Sequence, residues 1–253
     1  MKKSIYLLLI FAFLFQNADA QRRKQTIKWF SIAAKVGYGN SVLLNIDNID
    51  DKHVDFNYLT PSLSYGGRFT FTIGNNLGFG ADALLSSFGQ QYTIDNNGDI
   101  YEKELKIKSL DILPFFRYSG EKGGYFELGG KFSNIKSMTL TNSISNPNPP
   151  FRPTDNPAAN YASKFTSLVL GFGVAVYKNE RLDVNLGTRF AYSFTDFTPG
   201  YSYNVVDDGY YIPAKDILSD TNPLSIQFIL EVNYYFAFWG DATCGKGRLM
   251  LFK

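Results

Sequence analysis

The chain has 253 residues, with 25 basic and 23 acidic side chains and a formal net charge of +2 at pH 7. These charges are scattered along the chain, so the sequence carries no basic run of the kind that marks a nucleic-acid-binding protein. The only cysteine is Cys244, so an intramolecular disulfide is also excluded. Aromatic residues make up 17% of the chain and glycine is frequent at 22 residues. This composition is typical of membrane β-barrels, in which aromatic girdles surround a tightly packed inner wall.

The first twenty residues have the layout of a secretory signal peptide. Lys2 and Lys3 give a basic start, an apolar run follows at 5–15, and a small-residue cleavage site ends at Ala20. The apolar run is about 11 residues long, shorter than the roughly 20 that a spanning helix needs. The predicted domains are a signal peptide at 1–20, a barrel at 21–238 and a periplasmic C-terminal extension at 239–253.

Eight segments of the mature chain alternate apolar and polar residues with a period of two, as a strand with one apolar face does. In the second segment, for example, Leu63 and Tyr65 share the apolar face, whereas Arg68 lies on the polar face. In chain order, the predicted strands are 29–43, 62–73, 77–88, 104–119, 125–140, 164–177, 181–195 and 224–238.

The connections between these strands alternate between long and short. Long connections at 45–61, 89–103, 141–163 and 196–223 are separated by short turns at 74–76, 120–124 and 178–180. Outer-membrane barrels sort their connections in this way, with short periplasmic turns and long outer loops, whereas soluble up-and-down barrels have less reason to do so. The sequence therefore predicts an all-β, eight-stranded antiparallel up-and-down transmembrane β-barrel. We expect it in the outer membrane of a Gram-negative bacterium, with both termini in the periplasm.

The polar faces of the predicted strands carry charges of both signs. With the apolar faces against lipid, these charges point into a lumen about wide enough for side chains to fill. Charges confined there must pair, because an unpaired buried ion is costly. We predict a structural ion network, with a narrow polar conduit for ions or a small solute as the alternative. The predicted members are Lys35, Arg68, Asp82, Asp111, Arg117, Glu127, Lys131, Asp183, Arg189 and Glu231.

The segment at 109–135, SLDILPFFRYSGEKGGYFELGGKFSNI, resembles the PorT-like outer-membrane β-barrel family. Members commonly carry a strand with leucine, an acidic residue, isoleucine, proline, a basic residue and tyrosine, then a Gly-rich hairpin and a strand with a glycine pair. The resemblance implies an outer-membrane barrel, a link to surface export, and an insertion signal at Phe236 or Phe238 for the outer-membrane insertion machinery. The matching residues are Leu110, Asp111, Ile112, Pro114, Arg117, Tyr118, Gly129 and Gly130.

The long loops hold the candidate contacts for a protein partner. The loop at 143–161 contains five prolines, which deny strand pairing and stiffen the chain towards polyproline II. A surface loop is the favoured interpretation, and a stiff docking segment is the alternative. The candidate contact residues are Phe151, Arg152, Tyr161, Tyr201 and Tyr203.

Nothing in the loops forms a recognisable catalytic or metal site. The only histidine, His53, lies in the first long loop with only aspartates near it. The acidic groups at 47–55 and 95–99 could collect a divalent cation, but neither has the spacing of an EF-hand loop. We therefore predict no metal and no cofactor. The predicted function is a small, non-enzymatic outer-membrane barrel that contacts lipid and presents its outer loops, or assists surface export. The alternatives are a narrow pore or small-molecule channel and, third, a lipid-modifying enzyme.

Overall fold

The computed structural model describes residues 27–45, 54–73, 76–96, 99–144, 161–197, 220–241 and 247–251. These residues form ten strands and none of them lies in a helix long and apolar enough to cross a membrane. The strands are β1 (Ile27–Leu44), β2 (Val54–Asn57), β3 (Thr60–Ile73), β4 (Leu77–Asn96), β5 (Asp99–Ser119), β6 (Gly124–Ile144), β7 (Lys164–Lys178), β8 (Leu182–Ser193), β9 (Asn222–Asp241) and β10 (Gly247–Leu251).

Eight of these strands close into a barrel. Each strand from β3 to β9 pairs antiparallel with the next, and β1 pairs with β3. The barrel closes between β1 and β9, whose pairing runs from Ile27 opposite Trp239 to Leu44 opposite Asn222. Closure leaves no free edge along these eight strands, so the backbone groups of the wall are satisfied within the sheet. The prediction of an eight-stranded antiparallel up-and-down barrel is confirmed.

Two short strands extend the barrel at opposite rims. β2 continues the line of β3 along β4, from Val54 opposite Ile94 to Asn57 opposite Gln91. β10 pairs with the last residues of β9, at the other rim. The predicted C-terminal extension at 239–253 therefore starts inside β9 and includes a strand.

The strands reach further into the predicted long loops than the sequence indicated. The segment predicted as a loop at 89–103 is mostly a ladder in which β4 continues to Asn96 and β5 begins at Asp99. β6 likewise continues to Ile144, inside the predicted loop at 141–163. These loop boundaries were wrong because the ladder hydrogen bonds continue where the apolar face ends. At the other rim the turns are short, and the β5–β6 turn uses Gly123 with a φ of 92°, in the left-handed region.

The wall of the barrel carries its apolar side chains outward. On β3, the outward Leu63 and Tyr65 are 42% and 53% exposed, whereas the inward Ser64 and Arg68 are buried. This distribution is the reverse of that in a water-soluble barrel, where the apolar face fills the interior. The same alternation leaves apolar side chains exposed on the other strands, including Ile32, Phe79, Ile112, Leu128, Phe172, Leu186 and Leu230.

Candidate functional site in the barrel lumen

Seven charged side chains meet in the lumen, and we call this group the central network. Seven of the eight barrel strands contribute one member each, and every member is at most 8% exposed. The remaining strand, β7, places Gly171 against Glu127, whose Oε2 atom would lie 3.2 Å from an added Cβ. The small residue on β7 thus makes room for a carboxylate from β6. The members are Lys35, Arg68, Asp82, Arg117, Glu127, Arg189 and Glu231.

Arg68 is the only member of the described network that contacts all three carboxylates. Its Nε donates to Asp82 Oδ1 at 2.6 Å and its Nη1 donates to Glu127 Oε1 at 2.5 Å. The same Nη1 lies 2.8 Å from Glu231 Oε2. Charge-assisted hydrogen bonds of this length are among the stronger ones in proteins. Arg68 therefore joins strands β3, β4, β6 and β9 across the lumen.

The other three cations each bridge two carboxylates. Lys35 Nζ lies 3.0 Å from Asp82 and 2.8 Å from Glu231. Arg117 lies 2.6 Å from Glu127 and 2.8 Å from Glu231. Arg189 Nη2 lies 2.8 Å from both Asp82 and Glu127. Each carboxylate is consequently held by three cations, so no buried carboxylate of the network depends on a single partner.

Two arginines of the network also stack on aromatic rings. The Arg68 guanidinium lies 3.8 Å from the centroid of Phe115, and that of Arg117 lies 4.1 Å from the centroid of Tyr125. Each ring covers a glycine of the wall: an added Cβ at Gly80 would lie 2.7 Å from Phe115 Cζ, and one at Gly187 would collide with Tyr125 Oη. The glycines admit the rings, and the rings support the guanidinium planes. Neither ring was predicted from the sequence. Both are aromatic residues at inward positions, and each packs against a glycine of another strand, a pattern that can be recognised in a sequence.

Two further ion pairs flank the central network. Lys131 Nζ lies 3.9 Å from Asp111, whose carboxylate also accepts hydrogen bonds from two serines. Asp183 pairs with Lys28 at 2.9 Å and accepts a hydrogen bond from Tyr235. Lys28 was missed because it precedes the first predicted strand and because an irregularity between Lys28 and Phe30 shifts the alternation there.

An apolar cluster, the apolar cap, lies inside the barrel near the long-loop rim. Phe197 is fully buried, with its ring centroid 5.7 Å from that of Phe165 and 5.4 Å from that of Tyr161. Tyr161, predicted as a loop contact, is half-buried at this cluster. The sequence did not predict the cap because several of its members occupy inward positions that were expected to be polar. Its buried members are Leu43, Phe88, Leu105, Ile107, Phe165 and Phe197.

A cavity of about 30 Å³ lies between the apolar cap and the central network. Its charged lining residues are Asp111, Lys131 and Arg189, and serine hydroxyls form much of the remaining wall. A cavity of this size holds about two water molecules. Through the described part of the chain, the lumen therefore holds an apolar cap, a small cavity of mixed lining and a dense ion network.

All ten predicted lumen residues lie on the inner side of the barrel. Nine of them are buried and Lys131 is half-buried. Seven form the central network, whereas Asp111, Lys131 and Asp183 belong to the flanking pairs. Within the described ranges, no three His, Cys, Asp or Glu side chains are grouped to hold a metal ion. Of the residues discussed in the sequence analysis, the following lie outside the described ranges: His53, Phe151, Arg152, Tyr201, Tyr203 and Cys244.

Comparison with known proteins gives distant structural likenesses. No family model and no curated protein matches the chain, so the resemblance to the PorT-like family stays a prediction. The outer membrane protein OprG from Pseudomonas aeruginosa is 13% identical, with 84% of this chain and 97% of OprG covered and a TM-score of 0.41. The attachment invasion locus protein Ail of Yersinia pestis is 11% identical, with 83% and 100% covered and a TM-score of 0.37. Neisserial surface protein A is 11% identical, with 82% and 97% covered and a TM-score of 0.36. The strand pairing of the chain itself establishes the closed eight-stranded barrel.

Proposed function

We propose that this protein is a non-enzymatic outer-membrane barrel with a filled lumen, which acts through its outer wall and its long loops. The apolar exterior supports the membrane location, because an exposed apolar wall on every barrel strand is costly in water and favourable in lipid. Short turns lie at one rim of the barrel, and the strands extend further at the other rim. This asymmetry supports an orientation with the short turns and the termini in the periplasm. The signal-peptide pattern at 1–20 agrees with export.

The filled lumen is the observation that carries the proposal. A passing ion must separate charge pairs that lie 2.5–3.0 Å apart in the central network. Separating one member of a buried pair costs several kcal/mol. The rival proposal, a narrow pore or small-molecule channel, needs a continuous polar path through the paired charges of the central network. The enzyme alternative depended on His53, which lies outside the described residues.

Conductance in planar lipid bilayers tests the filled lumen directly. We expect the inserted wild-type protein to show no steady unitary conductance, because the cap and the network occupy the lumen. Heat-dependent gel migration and flotation with vesicles provide the control that the silent protein is folded and inserted. Reproducible unitary steps from folded protein would reject the filled-lumen proposal in favour of the pore.

Loop replacement tests whether the outer loops carry the function. The segment at 145–160 is exchanged for a short turn, keeping Ile144 at the end of β6 and Tyr161 beside the apolar cap. We expect the barrel to stay folded while binding of a partner purified with the wild-type protein is lost. Unchanged partner binding after the exchange would exclude this loop as the contact surface.

A further inference from the structure

Four outward-facing lysines lie together on the outside of the barrel, near the long-loop rim. Lys106 and Lys108 are on β5, Lys136 is on β6 and Lys164 is on β7, and all four are exposed. These three strands are neighbours in the sheet. We call the four residues the lysine patch.

The strand register places these lysines close together. Lys108 pairs with Ser137, the residue after Lys136, and Lys164 pairs with Asn134, two residues before Lys136. Neighbouring strands are about 4.8 Å apart, and residues two positions apart on a strand are about 7 Å apart. Flexible side chains from all three strands can therefore reach the same headgroup-sized ligand.

The lysine patch lies where the apolar outer wall ends. Below it on the same strands are the outward Ile112, Phe132 and Leu168, which are 44%, 53% and 41% exposed. The buried neighbours Ile107 and Phe165 point into the lumen, so the adjacent Lys108 and Lys164 point outward. In a membrane barrel, this border between apolar wall and polar rim is the level of the lipid headgroups.

Three lysines of the patch form no ion pair within the described residues, although Glu102 and Glu104 lie on the same face of β5. Lys106 donates to Glu104 at 2.9 Å, which neutralises one of the four cations. No carboxylate of the described chain pairs with Lys108, Lys136 or Lys164. The described outward positions of β1, β3, β8 and β9 carry no charged side chain. Among the described strand positions at this rim, outward-facing lysines therefore occur only on the adjacent strands β5, β6 and β7.

We propose that the lysine patch binds the phosphate groups of a phosphorylated glycolipid in the outer leaflet. Lysine ammonium groups bind phosphate as point charges, and clustered lysines at a membrane surface attract anionic headgroups. The outward apolar residues below the patch give the acyl chains of the same lipid a surface to pack on. This inference rests on the proposed membrane location of the barrel.

Lipid retention measured by native mass spectrometry tests the proposal. The folded protein is extracted from vesicles of zwitterionic phospholipid to which either bisphosphorylated lipid A or its dephosphorylated form has been added. We expect wild-type protein to retain the phosphorylated lipid, and the triple variant Lys108→Gln, Lys136→Gln, Lys164→Gln to bind it at least about tenfold more weakly. Excess inorganic phosphate should not displace the lipid, because free phosphate lacks the apolar contacts.

A matched control removes three exposed cations at the opposite rim, through Lys122→Gln, Lys178→Gln and Arg181→Gln. This variant should retain the phosphorylated lipid as the wild-type protein does. Equal loss in both triple variants, equal retention of the two lipids by the wild-type protein, or displacement by inorganic phosphate would each overturn the inference. If the wild-type protein fails to enter vesicles, the membrane location is wrong and this inference is wrong with it.

Discussion

Replacing Arg68 by leucine is expected to destabilise the folded barrel by about 3 kcal/mol. Removing one member of a buried ion pair generally costs about 3–5 kcal/mol, because the partner charge is left uncompensated. Arg68 is 3% exposed and contacts all three carboxylates of the central network. Each carboxylate keeps two other cations in the variant, which places the expected loss at the lower end of the range.

The loss can be measured by equilibrium unfolding in denaturant, with the vesicle-inserted protein followed through its two tryptophans, Trp29 and Trp239. Phe69→Leu is the matched control, because Phe69 is the next residue, faces outward and is 47% exposed. Its effect should stay at about 1 kcal/mol, because the substitution removes the ring contact with Phe30 and no buried charge. Arg68→Lys should fall between the two variants, since lysine keeps the charge but lacks the planar guanidinium that reaches several carboxylates.

Equal stability of Arg68→Leu and wild-type protein would show that the central network contributes nothing to folding. An equal loss in Arg68→Leu and Phe69→Leu would show instead that the assignment of inner and outer faces on β3 is wrong.

Two further substitutions test the inner wall and the cap. Gly80→Ala should cost about 1–3 kcal/mol in the same unfolding assay, because its Cβ would collide with the carbonyl oxygen of Phe69 and crowd Phe115. Gly67→Ala, whose Cβ would have its nearest neighbour at 3.7 Å, should cost much less, and a similar loss at both sites would contradict the packing explanation. Phe197→Ala should speed proteolysis at the long-loop rim while the folded band on gels persists; loss of that band would show that the cap and barrel are not separable.

The fold could be predicted from the sequence because each strand carries its own face pattern. Leu63 and Arg68 differ in polarity and in parity, which is enough to place them on opposite faces of their strand. The alternation of long and short connections then favoured a membrane barrel, in which the apolar face points outward. Both features can be read from the sequence without contacts between distant strands.

The partners of the lumen charges could not be predicted from the same pattern. Arg68 and Asp82 are paired across adjacent strands, which a register rule can find. The contacts of Arg68 with Glu127 and Glu231 cross the lumen, and they depend on the tilt and closure of the barrel. The alternation of apolar and polar residues predicts which face of a strand a residue lies on. It does not predict the position of that residue along the barrel axis, which decides its partners across the lumen.

Substitutions in the lumen and substitutions on the outer surface should have different effects on this protein. The lumen contacts are shared among seven strands, so a change at one member disturbs several pairs and lowers the stability of the whole barrel. The lysine patch lies on the outer side of the wall, and changes there leave the central network intact. We therefore expect substitutions in the lumen to act on folding and substitutions on the outside to act on binding. A lumen variant that lost lipid retention while keeping wild-type stability would contradict this division.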